Sequence, residues 1–335
     1  MRTTLLFVHG RNQASPRAIA DDPARLRAYV EAKKRGWLAG LSRGLVLAGA
    51  GPVDEADAVF PFYGNHFQRL IAEHEARGGR RPELELGESA DEQETRLVDA
   101  KAAALIDAVT SLGFDPAREL AYTDPGLADR VDGRDLADEL GWGDALRVPL
   151  LRSALQFLSR KTGAPAAIIE QFLTDVAYYL EFDGMRAAVL DIAEAALRDR
   201  NPDGGPVVVV GHSLGSVVAY DLLTRLAGDV DVRLFVTAGS PLGYPIVQKN
   251  LLGKRTGRPP SVPVRVPARR AAWVNVYDVR DFVSLVHPIA RTFDGAAADQ
   301  VVDEQAFNPS HPHSIADYLA DPDVAGPIGR ALQAA

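Results

Sequence analysis

Short, nearly continuous apolar runs alternate along this chain with longer stretches in which apolar positions recur every three or four residues. The short runs are Thr3–His9, Ala58–Phe62, Val207–Gly211, Leu234–Ala238 and Trp273–Tyr277. They are rich in β-branched and aromatic residues and lack a polar face, the pattern of strands buried on both sides of a parallel sheet. Residues 298–302 (ADQVV) are expected to add an edge strand. Between the runs, Asp22-Pro23 forms an N-cap and first-turn pair that predicts a helix to about Leu47. Ser89 and Glu92 have capping-box spacing and predict a helix ending near Gly113. Further helices are predicted over 144–162, 165–181 and 184–200, whereas 113–143, rich in Gly, Pro and Asp, reads as loop. Strands alternating with helices predict an α/β fold, a mostly parallel sheet flanked by helices.

One interval breaks that rhythm. The 144 residues 63–206 separate the second and third strands, more than a single crossover helix needs. The expectation is a core of 1–77 and 181–335 with a mainly helical cap inserted at 78–180. Within it, 145–158 (ALRVPLLRSALQFL) is strongly apolar. Helix–helix packing is the simpler reading; a lid that offers apolar surface to a lipid-like substrate is the alternative. The Pro/Arg-rich run 255–270 reads as an exposed loop.

Composition narrows the function classes. A net charge of −8 with no basic stripe argues against a nucleic-acid partner. The absence of cysteine excludes disulfides and thiolate chemistry but leaves the compartment open. The opening MRTTLLFVHG has one basic residue and a short apolar run, so it reads as a first strand rather than a secretory signal. No uncharged apolar run approaches the ~18 residues that span a bilayer. A cytoplasmic location is the default expectation. No His-Glu-x-x-His, Gly-x-x-x-x-Gly-Lys or Gly-x-Gly-x-x-Gly sequence occurs, so no metal site and no cofactor are expected.

The chemistry concentrates at 207–216, VVVVGHSLGS. Gly211-His212-Ser213-Leu214-Gly215 follows a buried strand and precedes an apolar-periodic helix, SVVAYDLLTRL. A strand-to-helix turn this sharp forces its central residue into a strained backbone conformation and requires small flanking residues. The expectation is an exposed serine hydroxyl with the N–H groups and positive dipole of a helix N-terminus behind it.

On this motif in this setting the chain resembles the α/β-hydrolase superfamily, particularly its lipases and esterases, over about residues 1–70 and 200–335. The resemblance implies a serine hydrolase cleaving carboxylic esters, with Ser213 as nucleophile followed in chain order by an acid and a histidine. The acid is sought in WVNVYDVRDFVSLV, where Asp281-Phe-Val resembles the Asp-x-Val of lipases. Asp278 is the rival, otherwise a loop cap or salt-bridge partner; Asp294, Asp299 and Asp303 are more remote. The base is sought in NPSHPHSIADYL, where the His313-to-Leu319 segment resembles the end of many bacterial hydrolases, ahead of His311. His287 reads as structural, and a metal shared by His311 and His313 is a minor alternative. By the same resemblance Leu214 N–H and Arg11 N–H form the oxyanion hole, while Gly10, His212, Ser240 and Pro241 shape the substrate pocket. The implied partner is a small-molecule ester or lipid, with transient membrane-surface contact through the cap. The alternatives are an acyltransferase, a (lyso)phospholipase at a membrane surface, and an inert binding protein on the same fold.

Overall fold

The computed structural model describes residues 2–10, 13–77, 92–116, 118–119, 144–226, 229–252, 273–293 and 300–334. It divides into two compact units, one of residues 1–70, 184–243 and 247–335, the other of 71–183 and 244–246.

The larger unit holds a six-stranded, all-parallel sheet. Its strands are β1 (Thr4–Val8), β2 (Ala58–Val59), β3 (Pro206–His212), β4 (Asp231–Ala238), β5 (Trp273–Tyr277) and β6 (Val301–Gln305), in the order β2-β1-β3-β4-β5-β6. Every residue of β1 and β3 is buried, as their unbroken apolar runs require. The edge strand sits three residues later than ADQVV suggests. Asp303 within it accepts hydrogen bonds from Asn275 and from the N–H groups of Ile289 and Ala290, which pins that register.

Alternation along each strand separates two apolar faces. Leu5, Phe7, Val208, Val210, Val236 and Val276 share one core with α2 (Pro23–Leu47), α10 (Ile315–Ala320) and α11 (Pro322–Gln333). The N-cap of α2 is Asp22, which accepts from the N–H groups of Ala24 and Arg25. The short α1 (Arg17–Ala20) and α3 (Gly64–Ala76) flank this region of the chain. On the opposite face lies α8 (Leu214–Arg225), whose Tyr220 ring contacts Trp273 of β5. Asp221 of α8 pairs with Arg186 of α7 (Asp183–Arg200), both side chains buried. A one-turn helix, α9 (Pro245–Asn250), follows β4.

The strand order reverses between β1 and β3. From β1 the chain runs outward to β2, then returns to the other side of β1 and proceeds to β6. In open α/β sheets the crevice at the carboxyl ends of such a strand pair is where ligands bind. His9-Gly10 and His212-Ser213 emerge there.

The smaller unit is helical: α4 (Glu92–Ser111), α5 (Asp144–Thr162) and α6 (Ala166–Glu181). Leu97, Leu105, Leu151, Leu158, Phe172 and Val176 are among its buried residues, so the described part of the apolar run, 149–158, packs helix against helix. Lys101, also buried, is held by Glu170 at 3.1 Å. No described helix is long and apolar enough to cross a membrane. The capping box at Ser89, most of the 113–143 loop and the 255–270 run lie outside the described residues.

Candidate active site

Ser213 stands between the end of β3 and the start of α8 with φ 57° and ψ −136°, the one non-glycine residue at positive φ among those described. Such a conformation costs about 1–3 kcal/mol and persists where the surroundings over-determine it. They do so here. The Ser213 N–H donates to Ala238 O at the end of β4, and the Ser216 N–H donates back to Ser213 O. A Cβ at Gly215 would lie 2.3 Å from Val8 O, and one at Gly211 would lie 2.7 Å from the Ser216 Cα. The two motif glycines therefore let α8 start against both β1 and β3. Leu214, at the first helical position, has an N–H without an intrahelical acceptor.

The serine hydroxyl is not exposed, contrary to the expectation from the turn. Ser213 retains 2% of its surface, and its Oγ makes no hydrogen bond to a described residue. The cause is the loop after β1: a Cβ on Gly10 would fall 2.6 Å from Ser213 Cβ and 3.1 Å from its Oγ. Only a glycine fits this approach. Arg11, the expected second oxyanion donor, lies outside the described residues.

The conformation of the β1 loop is fixed by His9. Its Nδ1–H donates to Gly10 O at 2.8 Å, its Nε2 accepts from the Tyr63 N–H, and its carbonyl accepts from the Tyr63 hydroxyl. The two rings stack at 4.0 Å. Burial lowers the His9 pKa to about 4, opposed in part by the bond to Gly10. His9 is thus neutral in the folded protein above that pH, whereas an unfolded chain protonates it near 6.5. The unfolded state binds the extra proton between those values, so stability is full above pH 6.5 and is lost as pH falls towards 4. The loss from this one group is about 3 kcal/mol. Urea midpoints measured from pH 7.5 to pH 4.5 are expected to fall, and the fall should be shallower in His9→Gln. Parallel curves for the two proteins would contradict the assignment.

Of the two acid candidates, one reaches a histidine. Asp281 Oδ2 accepts from His313 Nδ1–H at 2.8 Å and from the Tyr318 hydroxyl at 2.8 Å, and Asp281 Oδ1 accepts from the Val283 N–H. Asp278, three residues earlier, is occupied elsewhere. It accepts from the Arg280 guanidinium, the Arg280 N–H and the Asn308 N–H. Burial pushes its carboxyl up, but these bonds together outweigh burial and hold it below the usual carboxylate value. With Nδ1–H given to Asp281, His313 keeps Nε2 as a proton acceptor.

Room for the pair comes from Gly239, at φ 53° after β4. A Cβ there would sit 2.6 Å from Asp281 Oδ2 and 3.0 Å from His313 Nδ1. His212, next to the serine, donates Nε2–H to His313 O at 3.1 Å, with the two rings 4.6 Å apart. Burial first, and the adjacent His313 second, drive the His212 pKa well below its ordinary value, so it acts as a neutral donor. The Ser240 hydroxyl accepts from the Leu242 N–H, and Pro241 opens a buried helical turn, so both serve the turn after β4. His311 is exposed, 3.9 Å from Asp317, and His287 stacks on Tyr277. Asp303 serves the sheet edge as described above, and Asp294 and Asp299 lie outside the described residues.

Tyr318 is the site residue that the sequence reading did not single out. Its place after His313 was visible, but its partner lies on another loop.

Residues 175–333 match the model of the alpha/beta hydrolase family. No curated protein and no solved structure matches the chain. The parallel sheet, the strand-order reversal at β1 and β3 and the strained serine at the β3–α8 turn, together with this match over residues 175–333, give the chain an α/β-hydrolase-type fold.

Proposed function

We propose that the protein is a serine hydrolase that cleaves carboxylic esters through an acyl-enzyme. The observation that carries the reading is that the strained Ser213 and the His313–Asp281 pair share one sheet edge, with His212 joining them. An unassisted serine hydroxyl is a poor nucleophile near neutral pH and needs a base that is itself oriented by a third group.

Ser213 Oγ attacks the acyl carbonyl as His313 Nε2 takes its proton. Negative charge on the carbonyl oxygen is accepted by the Leu214 N–H, with Arg11 N–H as the second donor. His313 then returns the proton to the departing alcohol, leaving the acyl group on Ser213. Water, deprotonated by His313, attacks that ester and releases the acid and the free serine. Asp281 holds the imidazole tautomer throughout. Each oxyanion donor is worth about 2.7–4 kcal/mol of barrier.

The ester class rests on the resemblance of the motif and its downstream acid to lipases and esterases. A p-nitrophenyl ester series from acetate to palmitate tests it. Steady turnover with one preferred chain length is expected, together with an intact-mass increment equal to the acyl group when hydrolysis is slowed at low temperature. No turnover across the series and no acyl adduct would overturn the ester assignment.

A further inference from the structure

We propose that Tyr318 is a positioning residue that sets the plane of the Asp281 carboxylate and, through it, the orientation of His313. The role rests on the serine-hydrolase reading above.

Tyr318 lies on α10, fully buried, five residues after His313. Its hydroxyl bonds to Asp278 and Asp281, with the Ser284 side chain also against it. It accepts from the Asp278 N–H at 2.9 Å and donates to Asp281 Oδ2 at 2.8 Å. The first bond decides the second: with a lone pair taken by an N–H, the phenolic proton is directed at the carboxylate. Burial first, and the Asp281 charge second, push the phenol well above its ordinary value, so it remains a donor at any working pH.

Consider what this does to Asp281. Its Oδ1 is held by the Val283 N–H, two residues on in the same loop. Its Oδ2 receives His313 and Tyr318 together. A carboxylate turns easily about its terminal torsion, which is broad and two-fold rather than locked in staggered wells. Donors from separate elements remove that freedom. Ser314 caps α10 by accepting from the Asp317 N–H, so a short, ordered link joins His313 to Tyr318. Both donors therefore reach one oxygen from one rigid helix start.

Asp278 enters the site by the same route. Its carboxylate faces Arg280 and Asn308, away from the histidine. Its backbone N–H nonetheless orients the hydroxyl that orients Asp281. On the far side of the imidazole, His212 holds the His313 carbonyl. His313 is thus braced at its backbone by His212 and at Nδ1 by Asp281.

Losing the hydroxyl leaves the acid in place but less well held when His313 gains charge in the transition state. Tyr318→Phe is therefore expected to lower kcat for p-nitrophenyl ester hydrolysis by about ten- to a hundredfold, the span of one hydrogen bond to a charged group. KM should change less than about twofold, because uniform substrate binding is untouched. The decisive measurement is a double-mutant cycle with Asp281→Asn on the full chain. Rates are expressed per serine titrated by a fluorophosphonate, so that misfolded protein is not counted. If Tyr318 acts through Asp281, adding Tyr318→Phe to Asp281→Asn should cost no more than about a further twofold.

An equal loss in both backgrounds would overturn the proposal, as would a loss carried by KM. A Tyr318→Phe chain that yields no titratable protein, while Asp281→Asn folds, would assign the hydroxyl to folding and overturn it equally. The underlying reading fails separately: it is lost if Ser213→Ala retains turnover, whereas an additive cycle with an inactive Ser213→Ala removes the role of Tyr318 alone.

Discussion

Ester turnover by Ser213→Ala is expected to fall by about 10⁴- to 10⁶-fold, the loss seen when a nucleophile that works as a unit with its base is removed. The fold should survive. Alanine removes one buried hydroxyl that has no described partner, so no hydrogen bond is lost with it. The strained φ of 57° is kept by the Ala238 and Ser216 backbone bonds, which alanine also makes. Circular dichroism and thermal midpoint should therefore match the parent while activity vanishes. Parallel loss of structure would mean that the position serves packing, and retained turnover would place the nucleophile elsewhere. Ser240, the alternative hydroxyl in the turn after β4, has its oxygen turned to the Leu242 N–H.

The two aspartates three residues apart should fail in different ways. Asp281→Asn preserves shape but presents an amide where His313 needs an acceptor, so the imidazole is held in the wrong tautomer or turned away. A fall in kcat of about 10³–10⁴-fold with little change in stability follows. Asp278→Asn breaks a buried clamp instead. Its carboxylate ties Arg280 to the loop and accepts the Asn308 N–H on the segment leading to His313. The amide has a single acceptor oxygen for the Arg280 and Asn308 N–H groups and no charge for the half-exposed guanidinium, so the loop is held less firmly. The thermal midpoint should drop while kcat per folded molecule changes far less. The reverse pattern, stability lost at 281 and rate lost at 278, would exchange the two roles.

These residues also show what sequence can and cannot carry. The strands were legible because β-branched runs without a polar face have one good environment, the middle of a parallel sheet. The helices at 23–47, 144–162, 166–181 and 183–200 were legible from periodicity and, for the first, from Asp22-Pro23. An edge strand is more weakly specified, since one side needs no partner, and β6 sits at 301–305 rather than 298–302. At the site, the strain at Ser213 could be read from its glycine neighbours, because those constraints are local. Its burial could not, because it depends on how closely Gly10 approaches from a strand about 200 residues away in sequence. The same holds for Tyr318. A tyrosine early in a capped helix has no visible partner until the Asp278–Asp281 loop is folded against it. Local sterics are written in neighbouring residues, while hydrogen-bond partners across loops belong to the tertiary structure.

On the proposed mechanism one hydroxyl, that of Ser213 at the β3–α8 turn, is the reactive group. Treating the full chain with a fluorophosphonate and mapping the adduct by peptide mass spectrometry tests it most directly. A single phosphonyl adduct is expected on the peptide containing Ser213, absent from Ser213→Ala and slowed in Asp281→Asn. An adduct on another residue, or undiminished labelling of Ser213→Ala, would contradict it.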